Sequence, residues 1–272
     1  MLKIKVNNYF FKSILLFFLS FNLLSKTTGQ PGELFAVKVD LDSSDETIGF
    51  IKIDNNFYKL VPLAFSKQGE YVEFNDSKIF IQSKNFGESR ITITNNALVN
   101  LSDQDRERTI KESAIIKKAL QTYSKEIIPK FNFISPVQGI ISSRYGKKRF
   151  INESPRSPHL ALDIAAPEGT KVLAPEDGKI ILIGNFFYSG NFIVIDHGQG
   201  LISSYSHLSS VSVSEGDLLM RGEKIGEVGS TGRVTGPHLH WTVYYEKVRI
   251  NPESLLKDNY LDTLLEIDKN II

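Results

Sequence analysis

The sequence predicts a mainly β protein, with a small N-terminal β-sandwich, a helical connector and a compact antiparallel β domain at the C-terminal end. Three observations carry this. Short apolar runs separated by turn residues fill residues 33 to about 100. One stretch of helical spacing begins at Ser102. From Phe133 onward most of the 19 glycines punctuate apolar runs such as Lys179–Ile183 and Phe192–Ile195, and many tight turns between short strands imply a barrel or sandwich. With 272 residues, 41% of them hydrophobic, the chain is long enough for one large domain or two modest ones and too apolar to be disordered.

Residues 1–29 read as a secretory signal. Lys3, Lys5 and Lys12 precede an apolar run from Ile14 to Leu24, broken only by Ser20 and Asn22, and a polar exit begins at Ser25. The competing reading, a membrane anchor, is disfavoured because the run falls short of the roughly 20 apolar residues that span a bilayer. Cleavage is expected near Thr27 to Gln30, leaving no stable transmembrane span; an uncleaved signal would tether the chain to the membrane. Without residues 1–29 the chain has 28 basic against 31 acidic residues, a balance that gives no reason to expect a nucleic-acid partner. There is no cysteine, hence no disulfide framework, no lipid-modified Cys and no thiolate metal ligand.

In the predicted sandwich, residues 30–101, the expected strands are Phe35–Val39, Gly49–Ile53, Phe57–Leu60, Tyr71–Phe74, Lys78–Gln82 and Ser89–Thr94. The connector, residues 102–132, starts at a Ser102 cap. It carries Ile110, Ile116, Leu120, Tyr123 and Ile127 at helical spacing and is closed by Pro129. The C-terminal domain is expected over residues 133–258, followed by a tail, 259–272.

All five histidines, His159, His197, His207, His238 and His240, fall in that C-terminal domain. His159 and Asp163 are four apart in a segment bracketed by Pro158 and Pro167, which favours extended or loop geometry over helix. Gly236-Pro-His-Leu-His-Trp has the alternation of a strand, so His238 and His240 share one side while Leu239 and Trp241 share the other. Two imidazoles so placed can reach one centre. A catalytic zinc takes three protein ligands from His and carboxylate and keeps a position for water. His159, Asp163, His207, His238 and His240 offer more donors than that, so some must act as acid, base or electrostatic groups; spacing alone does not say which.

These segments resemble the LytM and lysostaphin-type zinc endopeptidases, peptidase family M23. The likeness runs in order from Phe133-Ile-Ser-Pro-Val through Ile141-Ser-Ser-Arg-Tyr-Gly, Pro158-His-Leu-Ala-Leu-Asp, Ala174-Pro-Glu-Asp-Gly, Ile195-Asp-His-Gly and Tyr205-Ser-His-Leu to Gly229-Ser-Thr-Gly-Arg-Val-Thr-Gly-Pro-His-Leu-His-Trp and Asn251-Pro. The region before it resembles the N-terminal β-domain and helix of many Gram-negative members.

The resemblance implies Zn2+ held by His159, Asp163 and His240, with His207 and His238 as the catalytic pair. It implies hydrolysis of peptidoglycan peptide crosslinks by an exported enzyme of the periplasm or cell envelope, with any regulatory protein partner left open. The competing functions are a non-catalytic wall-binding regulator of other peptidoglycan hydrolases and a zinc hydrolase of some other peptide. Ala161 stands where the family usually carries Gly, so the backbone angle there tests the metal loop. Arg149, Asn152 and Arg156 precede that loop as solvated polar or charged groups or as contacts for substrate carboxylates. His197 is expected as a hydrogen-bonded turn residue, Trp241 in the core and Tyr205 on a groove wall.

Overall fold

A computed structural model describes residues 27–40, 48–53, 55–95 and 100–269. The predicted signal falls outside these residues up to position 26, and its last three, Thr27–Gly29, form strand β1. Next come β2 (Leu34–Val39), β3 (Ile51–Ile53), β4 (Asn56–Pro62), β5 (Tyr71–Phe74) and β6 (Ser77–Ile81). They build two three-stranded sheets, β2-β4-β3 and β1-β6-β5. Val37, Val61, Leu63, Ile79 and Ile81 close a small core between them. Leu34, Ala36 and Leu60 instead join the large C-terminal core. The β2–β4 ladder is therefore covered on both faces, which is why its sequences read as apolar runs rather than strict alternations.

The strand β7 (Glu88–Ile91) leaves this sandwich and pairs in parallel with β9 (Lys147–Ile151) of the C-terminal domain. Helix α1 (Asp103–Ala119) then begins where the sequence predicts. The Ser102 hydroxyl accepts the Asp105 N–H at 3.1 Å, with Asp103 and Asp105 in the first turn and Lys117 and Lys118 in the last, as the helix dipole favours. It ends earlier than the spacing suggests. The Ser124 carbonyl accepts the Gln199 N–H at 2.9 Å and its hydroxyl donates to Asp196 at 2.5 Å, so the chain is drawn out along the C-terminal domain before Tyr123 and Ile127 can extend the helix. Ile116 and Leu120 pack on Phe186 and Phe192, whereas Ile110 faces solvent.

The C-terminal domain comprises β8 (Ile140–Ser143), β9, β10 (Ser154–His159), β11 (Leu162–Ala165), β12 (Lys171–Leu173), β13 (Gly178–Phe186), β14 (Gly190–Gly198), β15 (Leu201–Val211), β16 (Leu218–Leu219), β17 (Lys224–Val228), β18 (His238–Tyr245) and β19 (Val248–Ile250), followed by α2 (Tyr260–Lys269). The main antiparallel sheet runs β16-β13-β14-β15-β18-β11-β8, with β17 bridging β15 to β12 and β19 on β18. Two-residue turns with positive φ close three hairpins: Asn152-Glu153, Gln199-Gly200 and Glu246-Lys247. That geometry matches the natural twist of paired strands. Leu162, Ile193, Ile195, Tyr205 and Trp241 are fully buried in the core. β18 lies between β15 and β11; these three strands carry Asp163, His207, His238 and His240, while His159 comes from β10.

Candidate metal centre

The hairpin β9–β10 delivers His159 to the end of its strand, and the chain turns through Leu160 and Ala161 into β11. Ala161 is buried and does not adopt positive φ, so the methyl group sits in the interior without backbone strain. In the β11–β18 ladder Asp163 lies directly opposite His240 and Ala165 opposite His238. His159 Nε2 is 3.0 Å from Asp163 Oδ1, His240 Nδ1 is 2.6 Å from the same oxygen, and the two nitrogens are 3.3 Å apart. Among the described residues these three form the group of His and carboxylate donors close enough to share a metal ion.

The outer nitrogens are tied as metal-ligating imidazoles require. His159 Nδ1 lies 3.2 Å from the Arg144 carbonyl, which can only accept, so Nδ1 carries the proton and Nε2 presents its lone pair inward. His240 turns its Nε2 to Thr242 Oγ1 at 3.4 Å and its Nδ1 inward. Burial by itself would raise the pKa of Asp163, but the His240 and His159 imidazoles outweigh it and hold the carboxyl well below the usual carboxylate range. Two imidazole nitrogens and one carboxylate oxygen, 2.6 to 3.3 Å apart and so within the roughly 3.3 Å edge of a tetrahedron of 2.0–2.1 Å bonds, are a donor set that fits Zn2+.

His207 and His238 flank this trio, with ring centroids 4.9 Å apart and His207 5.8 Å from His240. His207 is there because of a backbone irregularity. Ser206 pairs with His240 and so shares its face; strict alternation would send His207 to the core. Instead His207 has φ +69° and the β14–β15 register shifts beside it, a bulge that re-aims the ring. Its Nδ1 lies 2.9 Å from the Thr231 carbonyl, which fixes the proton on Nδ1. Burial, with the His240 and His238 rings beside it, pushes the His207 pKa down to about 3. His238 Nδ1 is similarly committed to the Gly236 carbonyl at 2.9 Å, and its Nε2 stands 4.0 Å from Asp163 Oδ1. Both rings thus offer Nε2 as a proton acceptor.

The trio and its two flanking rings line one cavity of about 1270 Å³. β7, the segment that follows it and α1 supply part of its wall through Ile91, Ile93, Ile116 and Lys117. Tyr205, expected on a groove wall, is fully buried: it pairs opposite Trp241 and so shares the core face, while Ser204 and Ser206 line the cavity. His197 is buried at the end of β14, with Nδ1 2.7 Å from the Asp177 carbonyl and Nε2 2.7 Å from Ser203 Oγ, away from the trio. Asn152 bonds the backbone of Ile93 and does not face the cavity, whereas Arg149 and Arg156 do. Arg233 and Tyr188, which spacing did not single out, line it as well.

The description "Peptidase family M23" matches residues 157–252, the span holding all five histidines. The chain is 41% identical over 120 residues to the peptidoglycan DD-endopeptidase ShyA of Vibrio cholerae, covering 44% of this chain and 27% of that protein. It is 41% identical over 125 residues to the DD-carboxypeptidase/endopeptidase Mpg of Neisseria meningitidis, covering 46% of this chain and 29% of that one. The chain thus spans under a third of the length of these curated relatives. A crystal structure from Pseudomonas aeruginosa, described as a peptidase M23, superposes with a TM-score of 0.65 at 28% identity, covering 86% of this chain and 96% of that one. Covering 86% of the chain, that superposition takes in more than the residues from 133 onward, and the family match at 157–252 spans His159, Asp163, His207, His238 and His240. Residues 157–252 of this chain match peptidase family M23.

Proposed function

We propose that this protein is an exported zinc endopeptidase that hydrolyses the peptide crosslinks of peptidoglycan in the bacterial cell envelope, with His159, Asp163 and His240 holding the metal and His207 and His238 catalytic. One observation carries the reading: three inward-facing donor atoms converge beside two imidazoles whose protons are committed elsewhere. The names of ShyA and Mpg supply the substrate class. Export rests on residues 1–29; among the described residues no helix is long and apolar enough to cross a membrane.

When bound, zinc supplies Lewis acidity, which acidifies a water molecule and polarises the scissile carbonyl. His207 or His238 accepts the proton from that water on Nε2 as the oxygen bonds to the carbonyl carbon. Once protonated, the same ring has an N–H to donate to the departing amine nitrogen, so the C–N bond breaks without a covalent enzyme intermediate and the proton count is restored. The Thr231 and Gly236 carbonyls keep each ring in the tautomer this requires.

The test is mass spectrometry of purified crosslinked muropeptides incubated with the zinc-loaded chain and with His240→Ala. Monomers from the first and none from the second support the proposal. Intact crosslinks with zinc bound would sink it and shift weight to a different peptide substrate or to the regulator reading.

A further inference from the structure

Arg149, Arg156 and Arg233 line the cavity of the metal centre together. Arg149 on β9 and Arg156 on β10 are direct cross-strand partners, the position at which like charges repel most. Arg233 arrives from the loop before β18, where its N–H donates to the Tyr188 carbonyl at 3.0 Å and its guanidinium lies 4.1 Å from the Tyr188 ring centroid. Among the described residues none of the three takes part in a salt bridge, and Arg149 Nε is buried without a hydrogen-bond partner. Burial lowers the pKa of Arg149, and burial followed by Arg149 and Arg156 lowers that of Arg233. The nearby Asp163 carboxylate favours the Arg149 charge and offsets part of the effect of burial.

A structure acting only for its own stability has no use for this arrangement. Neighbouring surface pairs show the alternative: Arg90 on β7 is matched by Glu88 and Glu153, and Arg108 on α1 by Glu112. Guanidinium groups converging on a cavity are matched by a planar anion that accepts paired N–H donors. We propose that Arg149, Arg156 and Arg233 form a subsite for a carboxylate of the substrate peptide, carried on the carbon attached to the scissile nitrogen. This rests on the peptidase reading of the adjacent metal centre. Such a carboxylate has two sources, a C-terminal amino acid or a crosslinking diamino acid, and both present the same chemistry beside the amide.

The experiment uses the whole chain. Calorimetric titration compares acetyl-D-alanyl-D-alanine with its C-terminal amide, against the wild type and against Arg149→Gln, Arg156→Gln and Arg233→Gln. The free acid should bind roughly 10-fold or more tightly than the amide, as a lost charged hydrogen bond implies, and Arg156→Gln should erase that preference. Arg156 is solvent-exposed and faces a like charge, so Arg156→Gln should fold with an unchanged or higher Tm, which a structural arginine would not do. Equal binding of acid and amide by the wild type, no binding of either, or a preference that survives all three substitutions would overturn the subsite. Retained acid preference with no cleavage of any peptide would support the subsite while the peptidase reading fails. Cleavage rates on crosslinked muropeptides with a free or amidated diamino-acid carboxylate then separate the sources: a loss on amidation assigns the subsite to the crosslink, and no loss restricts it to a terminal residue.

Discussion

Asp163 and His240 stand directly opposite each other in the β11–β18 ladder, with Oδ1 of one 2.6 Å from Nδ1 of the other. This single register decides the site. A slip of one residue would set Asp163 against Leu239 or Trp241 and turn one of the two donors to the core.

Asp163→Asn keeps the shape of the side chain and removes its charge, so zinc content measured by elemental analysis should fall to background together with activity. His207→Ala and His238→Ala should instead retain stoichiometric zinc while kcat drops by about 10²- to 10⁴-fold, the usual share of a positioned acid–base group. Loss of zinc from the latter pair would remove the distinction drawn between ligands and catalytic histidines.

Thr242→Val preserves volume but deletes the hydroxyl facing His240 Nε2. Zinc affinity, measured by competition with a chelating dye, should weaken by about 10-fold, the lower end of what outer hydrogen bonds to metal ligands are worth.

Asn152 holds the N-terminal segment to the β9–β10 hairpin through two hydrogen bonds with Ile93, at 2.9 and 3.0 Å. Asn152→Gly keeps the positive-φ turn and loses both. Amide exchange across Arg90–Ile93 should accelerate by roughly 5- to 150-fold, the equivalent of about 1–3 kcal/mol for two such bonds. Unchanged exchange would show that the parallel β7–β9 pairing alone secures this segment.

Glu176 and His197 pull the pH dependence of stability in opposite directions. Burial raises the Glu176 carboxyl from 4.5 to about 7, so its contribution is full below about pH 4.5 and is lost as pH rises through 7. Burial lowers His197 from 6.5 to about 4, so its contribution is full above about pH 6.5 and is lost as pH falls through 4. Between about pH 4.5 and 6.5 the two largely cancel. Glu176→Gln removes the first and should raise stability at pH 8, by an amount on the order of 3 kcal/mol, with the gain vanishing near pH 4.5. Thermal unfolding of both proteins across that range checks the crossing slopes; a pH-independent difference would overturn this account.

Much of the site was legible in the sequence because it depends on local geometry. The period of two in Pro237-His-Leu-His-Trp places His238 and His240 on one face in any strand, and Ser102 caps a helix through its own neighbours. The flanking prolines likewise keep His159 and Asp163 out of a helix. Other features have no local signal. His207 reaches its partners through a left-handed kink at a residue that is not glycine, and Tyr205 is in the core because it pairs with Trp241. Helix α1 stops at Ala119 because Ser124 finds partners on β14. The facing Arg149 and Arg156 come from the β9–β10 register, while Arg233 joins them from a loop far along the chain.

By itself, then, the sequence determined a mainly β fold, the donor chemistry and the face each histidine of β18 presents, since backbone periodicity and side-chain type are properties of neighbouring residues. The tertiary structure alone decided which strands pair, where the ladder bulges and which charges meet, because those depend on how distant segments share one core.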